Sequence, residues 1–297
     1  NKPYPHFNKP FYESNDHIAT ISKITDDIVK TVAPDIASTY LPHAVDGKIF
    51  HKLPKDQILK YKQESGVPAD KFVFFWNNRN ARRKQSGTLI FWFKEFLDKV
   101  GHDKATLIMH TEPRDPNGQD LNAIIKSLDL NDGQVMISTQ KIPPQNLNII
   151  YNLVDCTINI SDAEGFGLAT LESLSAETPI IVNMTGGLQE QVTDGTNWFG
   201  VGIEPASKAV IGSQDVPYIF EDRLNKDDFV NALLKIYNMS EEERGKLGRM
   251  GKQHVETNYN FDDFEKRWVK LIDQIIEEHG SWENRKVYKP YYFTEIE

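Results

Sequence analysis

The chain has 297 residues, of which 39% are hydrophobic and 26% are charged, a composition that is ordinary for a folded protein of one or two domains. Its net charge of −9 repels nucleic acid, and its single cysteine, Cys156, excludes an internal disulfide and a cysteine-rich metal site. No apolar run approaches the ~18 residues of a membrane-spanning helix, and the polar first residues do not resemble a signal peptide. We therefore expect a cytoplasmic protein without a nucleic-acid partner.

Predicted strands and helices alternate along most of the chain. Apolar runs predict strands over residues 17–22, 71–78, 105–111, 133–139, 156–161 and 179–184. Amphipathic segments predict helices over residues 23–33, 54–66, 86–100, 118–130, 143–154, 168–177, 226–238, 240–258 and 261–280. Residues 40–50 are typical of a turn-rich linker. This alternation predicts an α/β fold, a Rossmann-like parallel sheet with helices on both faces, in which ligands bind beyond the carboxyl ends of the strands.

Four basic side chains follow the predicted strand at 71–78 in a short loop. Arg79, Arg82, Arg83 and Lys84 lie within six residues of a chain that is acidic overall. A guanidinium group can bind phosphate oxygens through two hydrogen bonds, and a lysine adds a point charge. A solvated run of charges is the alternative interpretation. Because the loop directly follows an apolar strand, we favour a diphosphate site, with Arg79 and Lys84 as the candidate ligands.

Two glutamates surround a glycine-rich turn after the predicted strand at 156–161. Glu164 precedes Gly165 and Gly167, and Glu172 lies eight residues beyond Glu164. Glycine lets the backbone approach a ligand, carboxylates accept hydrogen bonds from hydroxyl groups, and a helix that begins near Gly167 favours an anion at its first N–H groups. An ordinary acidic helix start followed by a surface glutamate fits the same spacing. The spacing alone leaves both interpretations open.

Sequence signatures of other ligand sites are absent. The chain has no GxxxxGK[ST] phosphate loop, no HExxH and no Asp-x-Asp pair, and its eight histidines show no ligand spacing. His110, at the end of a predicted strand, is better interpreted as a strand-end residue than as a base. We therefore expect no bound metal ion and no cofactor.

The segment EGFGLATLE, residues 164–172, resembles the Glu-x7-Glu motif of retaining glycosyltransferases of family 4, which have the GT-B fold. Its surroundings match that family in order. Residues 72–90, FVFFWNNRNARRKQSGTLI, resemble the strand, Gly-Arg-x(n)-Lys-Gly loop and helix that hold the donor diphosphate. Residues 146–195 resemble the family's most characteristic run almost throughout. The chain is thus identified as similar to this family from about Ile18 onward.

Three positions depart from the family pattern. Asn78 stands where the family usually has the glycine before the arginine, and Gln85 stands where it has the glycine after the lysine. Glu177 occupies a third glycine position, before Thr178 and Pro179. The first two departures fall in the phosphate loop, where the family has glycine on either side of the arginine and lysine.

The resemblance implies two Rossmann-like domains that face a cleft, the C-terminal one binding the nucleotide-sugar donor and the N-terminal one the acceptor. It predicts the end of the acceptor domain and the linker over residues 1–45, the donor domain over 46–260, and a crossing helix with a tail over 261–297. Most of the acceptor domain is absent from the chain. We therefore expect a fragment of a longer protein, one that transfers no sugar by itself.

The resemblance also implies a role for each candidate residue. Glu172 is expected to bind the ribose hydroxyls, and Glu164 is expected near the hydroxyls and reacting face of the donor sugar. Arg79 and Lys84 are expected to neutralise the diphosphate as it leaves, which is electrostatic stabilisation of developing charge. The loop residues expected to contact the phosphates or the sugar are Gly165, Phe166, Gly167 and Leu168.

The function implied is metal-independent transfer of a sugar, of hexosyltransferase type, from a UDP- or GDP-sugar to an acceptor with retention of configuration. The nucleotide sugar is then a substrate, and the acceptor, whether glycan, lipid or protein, stays open. A peripheral membrane contact through the absent N-terminal domain also stays open. Two alternatives remain: a non-catalytic module that binds nucleotide sugars or a protein partner, supported by the departures at Asn78 and Gln85, and a GT-B sugar-nucleotide epimerase.

Overall fold

The computed structural model of the chain describes residues 3–68, 70–281 and 283–286. Within these residues it contains a six-stranded parallel sheet with the strand order β5-β4-β3-β6-β7-β8. A separate parallel pair, β1 and β2, precedes this sheet along the chain, and an antiparallel pair, β9 and β10, follows it. The α/β fold predicted from the sequence, a parallel sheet covered by helices, is confirmed.

The strands are β1 (Ile18–Thr20), β2 (Ser38–Tyr40), β3 (Phe72–Asn77), β4 (Ala105–His110), β5 (Val135–Ser138), β6 (Cys156–Asn159), β7 (Ile180–Asn183), β8 (Gly200–Ile203), β9 (Ser207–Ile211) and β10 (Ile219–Arg223). The helices are α1 (Lys9–Glu13), α2 (Lys23–Val32), α3 (Lys55–Glu64), α4 (Ser86–Val100), α5 (Leu121–Ser127), α6 (Pro144–Leu153), α7 (Leu168–Ser175), α8 (Leu188–Val192), α9 (Lys226–Tyr237), α10 (Glu241–Asn258) and α11 (Phe261–His279).

The central strand β3 shows why the sheet is covered on both sides. Successive side chains of a strand point to opposite faces, and this strand is apolar at every buried position. Phe74 and Trp76 belong to a core with α4, α5 and α9, whereas Val73 and Phe75 belong to a second core with α6, α7 and α10. The buried strand is thus held between two apolar layers, which fixes its register.

Every strand and helix predicted from the sequence lies where it was expected, but several elements were missed. The omitted elements are short: α1, α8, β2, β8, β9 and β10. Strand β8 contains two glycines, which weaken the strand signal, and β9 is largely exposed. Such strands form because neighbours pair with them, and an apolar pattern does not reveal that pairing.

The N-terminal segment contacts both the end of α10 and the last helix, α11. The amide of Val45 donates to the carbonyl of Tyr259 at 2.9 Å, and Arg267 of α11 donates to the carbonyl of Tyr40. The predicted domain boundaries stay a prediction. Most of the tail predicted beyond α11, residues 282 and 287–297, lies outside the described residues.

Candidate functional site

The topology of the sheet places two loops side by side at its carboxyl edge. The chain runs from β3 outward through β4 to β5, and then returns to β6 on the other side of β3. Ligands of open α/β sheets bind at such a point, where the strand order reverses. The loops that follow β3 and β6 are those that carry Lys84 and Glu164. The fold therefore unites two segments that are about 80 residues apart in the chain.

Lys84 and Glu164 form an ion pair across this crevice. Nζ of Lys84 donates to Oε2 of Glu164, and both side chains are 10% exposed. Nη1 of Arg83 lies 3.6 Å from the same carboxylate oxygen and donates to the carbonyl of Ala163 at 2.6 Å. Burial lowers the pKa of Lys84, although the adjacent carboxylate opposes that effect. The crevice thus contains one buried and one half-exposed cation beside a single carboxylate.

Arg79 lies apart from this pair. Its guanidinium donates to both carboxylate oxygens of Asp115, at 2.6 and 3.1 Å, and its side chain is 63% exposed. The hydrogen bonds from Arg79 lower the pKa of Asp115 to about 2. The structure therefore brings together Lys84, Glu164 and the glycine turn, whereas Arg79 is bound to a different loop. Contact of Arg79 with a diphosphate would require it to leave Asp115.

Glu172 belongs to a hydrogen-bonded chain that ends on β3. The hydroxyl of Tyr151 donates to Oε2 of Glu172 at 2.8 Å, and Nδ2 of Asn77 donates to that hydroxyl at 3.1 Å. Burial raises the pKa of Glu172, while the hydrogen bond from Tyr151 opposes the rise. Tyr151 fixes one carboxylate oxygen, so the side chain has a defined orientation. Glu172 is therefore not an ordinary surface glutamate of α7.

Glycines shape the turn between β6 and α7. Gly167 has a φ of 94°, which favours glycine, and α7 begins directly after it without a side-chain cap. A β-carbon at Gly186 would overlap the carbonyl oxygen of Glu164, and one at Gly187 would lie 2.7 Å from the Cα of Phe166. The second glycine pair, which follows β7, therefore packs directly against the Glu164 turn. The first N–H groups of α7, like those of any α-helix, have no acceptor within the helix and can therefore donate to a ligand.

Two of the three departures from the family pattern occupy left-handed backbone positions. Gln85 has a φ of 57° and Glu177 has a φ of 61°. Both conformations favour glycine, the residue that the family has at these positions. Nε2 of Gln85 donates to Asp162 at 2.5 Å, and its Oε1 accepts from Thr88 at 2.6 Å. The backbone shape is thus kept without glycine, and two side-chain bonds offset its strain.

The third departure, Asn78, presents an unpaired donor at the carboxyl end of β3. Among the residues that the structure describes, none accepts a hydrogen bond from its buried Nδ2 atom. Thr111 directly follows the neighbouring strand β4, and its buried hydroxyl likewise has no hydrogen-bond partner among the described residues. Unpaired buried polar atoms are costly, so both are candidates to bind a ligand or an ordered water.

An ion-pair network that the sequence did not reveal connects the two loops to β10. Glu221 accepts from Arg82 at 2.5 and 3.0 Å and from Arg223 at 2.5 Å, and Arg223 also contacts Asp162 at 2.7 Å. The hydrogen bonds from Arg82 lower the pKa of Glu221, whereas burial raises the pKa of Asp162. Strand β10 was not predicted, so nothing in the sequence indicated a partner for Arg82.

Across residues 3–68, 70–281 and 283–286, no group of three or more His, Cys, Asp or Glu side chains could hold a metal ion. Among the same residues, no helix combines the length and apolar character needed to cross a membrane.

Comparison with known proteins gives the family. The family model described as "Glycosyl transferases group 1" matches residues 57–254, more than half of the chain and the part that contains both loops. The chain belongs to this family. The resemblance drawn from the Glu-x7-Glu segment is confirmed.

Two curated relatives show how much of a longer protein the chain spans. It is 27% identical over 191 residues to the alpha-monoglucosyldiacylglycerol synthase of Acholeplasma laidlawii, covering 63% of the chain and 46% of that protein. It is 22% identical over 262 residues to the alpha-galactosylglucosyldiacylglycerol synthase of Streptococcus pneumoniae, covering 80% of the chain and 64% of that protein. The chain thus spans about half to two thirds of the length of these relatives.

Solved structures share the fold at low identity. The sucrose-phosphate synthase of Thermosynechococcus elongatus aligns with a TM-score of 0.73 and 19% identity over 91% of this chain and 61% of that one. The Anabaena protein HepE, solved in complex with UDP and glucose, aligns with a TM-score of 0.65 and 14% identity over 86% of this chain and 62% of that one. These likenesses show the GT-B type of fold alone.

Proposed function

We propose that the chain forms the donor half of a retaining glycosyltransferase of hexosyltransferase type, whose donor is a UDP- or GDP-sugar. The observation that carries the proposal is the convergence of Lys84 and Glu164 at the strand-order switch point. A buried cation there can neutralise a departing diphosphate. An adjacent carboxylate can accept hydrogen bonds from the hydroxyls of the donor sugar. No cofactor is required, because the nucleotide supplies the leaving group.

The environment of Glu172 is evidence for a nucleotide site on the side of the crevice away from the Lys84–Glu164 pair. Tyr151 orients the carboxylate, and a carboxylate can accept hydrogen bonds from two neighbouring ribose hydroxyls. The unpaired Nδ2 of Asn78, near the end of the same strand as Asn77, supplies a donor for a phosphate or ribose oxygen. The N–H groups at Phe166, Gly167 and Leu168 supply further donors at the start of α7.

The names of similar proteins support a hexosyl donor. The curated relatives are named as glucosyl- and galactosylglucosyl-diacylglycerol synthases, and the Anabaena protein was solved with UDP and glucose. We propose a hexosyl group from a nucleoside diphosphate for this chain by analogy. Two of these names contain a glycosylated diacylglycerol, so a lipid or glycolipid acceptor and a peripheral contact with a membrane belong to the same proposal.

We further propose that transfer needs no divalent cation. In support of this proposal, Lys84 and Arg83 are two cations in the crevice that could compensate the charge of a diphosphate without a metal ion. Binding of the donor in the presence of a chelator tests this directly. A loss of affinity in EDTA that manganese restores contradicts the proposal.

The non-catalytic module stays the second candidate, because Arg79 is bound to Asp115 rather than free to contact phosphate. Such a module would bind the nucleotide sugar without hydrolysing or transferring it. A sugar-nucleotide epimerase would instead convert the donor into its epimer. Product analysis with the full-length protein separates all three functions.

Calorimetric titration of the chain with UDP, GDP and ADP tests the proposal. We expect one nucleoside diphosphate to bind, and Glu172→Ala to weaken it. Glu242→Ala, which alters an exposed glutamate at the start of α10, is the matched control and should bind like the wild type. The proposal is wrong if no nucleotide binds, or if the two variants cannot be distinguished.

A further inference from the structure

The hairpin formed by β9 and β10 borders a cleft that shares Glu164 and Arg83 with the donor crevice. The cleft has a volume of about 740 Å³, within the range of small-molecule sites. It lies between the hairpin, helix α2 and the turn that carries Glu164. The hairpin is therefore close enough to the proposed reaction centre to contact a substrate there.

Successive side chains of β10 point to opposite faces of the strand, and the two faces make different contacts. Glu221 and Arg223 form ion pairs with Arg82 and Asp162 on the donor loops, as described above. Phe220 and Asp222, the alternate residues, line the cleft. The ion pairs anchor the strand to the donor loops, so the residues on its other face have a fixed position.

Asp222 has an unsatisfied acceptor in this cleft. Asp222 is 9% exposed, and its Oδ2 accepts a hydrogen bond from the hydroxyl of Thr185 at 2.8 Å. Within the described part of the chain, Oδ1 has no hydrogen-bond partner, although it forms a long ion pair with Nζ of Lys208 at 4.0 Å. A buried carboxylate oxygen without a donor is costly, and a ligand hydroxyl would remove that cost.

The remaining lining combines apolar and charged groups. Phe220 from the hairpin and Ile24 and Ile28 from α2 supply apolar surface. Glu164 and Arg83 supply charges. Burying a charge against a hydrocarbon chain is costly, whereas a sugar ring offers a C–H face to apolar side chains and hydroxyls to carboxylates. The lining therefore favours a sugar over an acyl chain.

We propose that the β9–β10 hairpin forms one wall of the acceptor site, and that the acceptor bound there is a sugar ring. Asp222 accepts a hydrogen bond from a hydroxyl of that ring, and Phe220 packs against its C–H face. The inference rests on the proposed glycosyl transfer and adds the class of its acceptor. It makes Phe220 and Asp222 determinants of acceptor specificity.

Octyl glycosides provide a probe, because each molecule contains both a sugar ring and an alkyl chain. Saturation-transfer NMR with octyl β-D-glucoside and octyl β-D-galactoside, below their micelle concentrations, reports which part contacts the protein. The nucleoside diphosphate found by calorimetry is present at saturation, so that the donor crevice is occupied. We expect the ring protons of at least one glycoside to be saturated more strongly than its alkyl protons.

Substitutions connect the signal to the hairpin. Phe220→Ala should weaken glycoside binding about tenfold, because a large apolar contact is lost, and Phe220→Trp should restore it. Asp222→Asn keeps an oxygen for Thr185 but removes the charge, and should also weaken binding. Val216→Ala, at an exposed hairpin residue outside the cleft, is the control and should bind like the wild type.

Three outcomes would overturn the inference: saturation of the alkyl chain alone, saturation of neither glycoside ring, or equal binding by Phe220→Ala and Val216→Ala. The calorimetric titration keeps this result separate from the proposed function. If nucleotide binds the wild type and all hairpin variants equally while glycoside binding is unaffected, only the hairpin assignment fails. If no nucleotide binds to the wild type, the proposed function fails.

Discussion

The two loops at the carboxyl edge keep their shapes by different means. The turn around Glu164 depends on glycine, because Gly167 has a left-handed backbone and Gly186 leaves no space for a β-carbon. The loop around Lys84 depends on side chains, because Gln85 holds the left-handed position through bonds to Asp162 and Thr88. Both loops thus need a left-handed backbone position. In one loop a glycine occupies it, and in the other a glutamine whose side chain is hydrogen-bonded.

A sequence motif therefore describes the Glu164 turn better than the Lys84 loop. A motif written in glycines records backbone shape, and the Glu164 turn agrees with it. In the Lys84 loop the backbone depends on partners that are distant in the chain, among them Glu221 for Arg82. Such partners are visible only after folding.

Replacing Gly186 should have the largest effect. The new β-carbon of Gly186→Ala would overlap the carbonyl oxygen of Glu164, and the backbone has a φ of 50°. We expect the free energy of unfolding to fall by about 3 kcal/mol, from overpacking and left-handed strain together. Urea denaturation measures the change. Gly47→Ala, where a β-carbon meets nothing within 4 Å, is the control and should be neutral; equal stabilities of the two variants would refute the glycine-built turn.

Lys84 and Arg79 should differ in their effects on nucleotide binding. Lys84→Ala removes a buried cation and leaves the carboxylate of Glu164 with the more distant Arg83 as its cationic neighbour, so we expect a loss of about 2 kcal/mol in stability as well as a loss of nucleoside diphosphate affinity. Arg79→Ala breaks an exposed pair with Asp115, and its effect on affinity should be smaller. Calorimetry and denaturation of both variants measure the difference. A larger loss of affinity for Arg79→Ala would show that Arg79 leaves Asp115 to bind the diphosphate.

The two glutamates of the motif should separate binding from turnover in the full-length enzyme. Glu172→Ala should raise KM for the donor tenfold or more, because a carboxylate bound to ribose makes the same contacts before and during reaction. Glu164→Ala should mainly lower kcat, because contacts with the donor sugar change as its bond breaks. Tyr151→Phe, which keeps Glu172 but removes the hydroxyl that orients it, should have an intermediate effect on KM. An unchanged KM for Glu172→Ala would mean that its carboxylate does not bind the ribose.

The sequence predicted the central sheet and the position of both loops after its strands, for reasons that differ by residue, whereas the roles of the site residues stay predictions. Strand β3 is an uninterrupted apolar run, so its burial followed from composition. Glu164 and Lys84 were predicted together because both loops follow such strands. Asp115, the partner of Arg79, and Glu221, the partner of Arg82, lie in a loop and a strand without a periodic pattern. Long-range ion pairs of this kind depend on tertiary geometry that no local pattern contains.

The smallest effect concerns the left-handed positions and tests the comparison most directly. Gln85→Gly loses the bonds to Asp162 and Thr88 but removes the strain, whereas Gln85→Ala loses the same bonds and keeps the strain. We therefore expect Gln85→Ala to be less stable than Gln85→Gly by about 1 kcal/mol in urea denaturation. The same pair of substitutions at Glu177 provides the control, since its backbone has a similar φ of 61° and its carboxylate lies 3.7 Å from Lys252. The alanine and glycine variants could be equally stable at Gln85 but differ at Glu177. That result would mean that the Lys84 loop leaves the left-handed conformation once its side-chain bonds are lost, so that those bonds alone hold the loop.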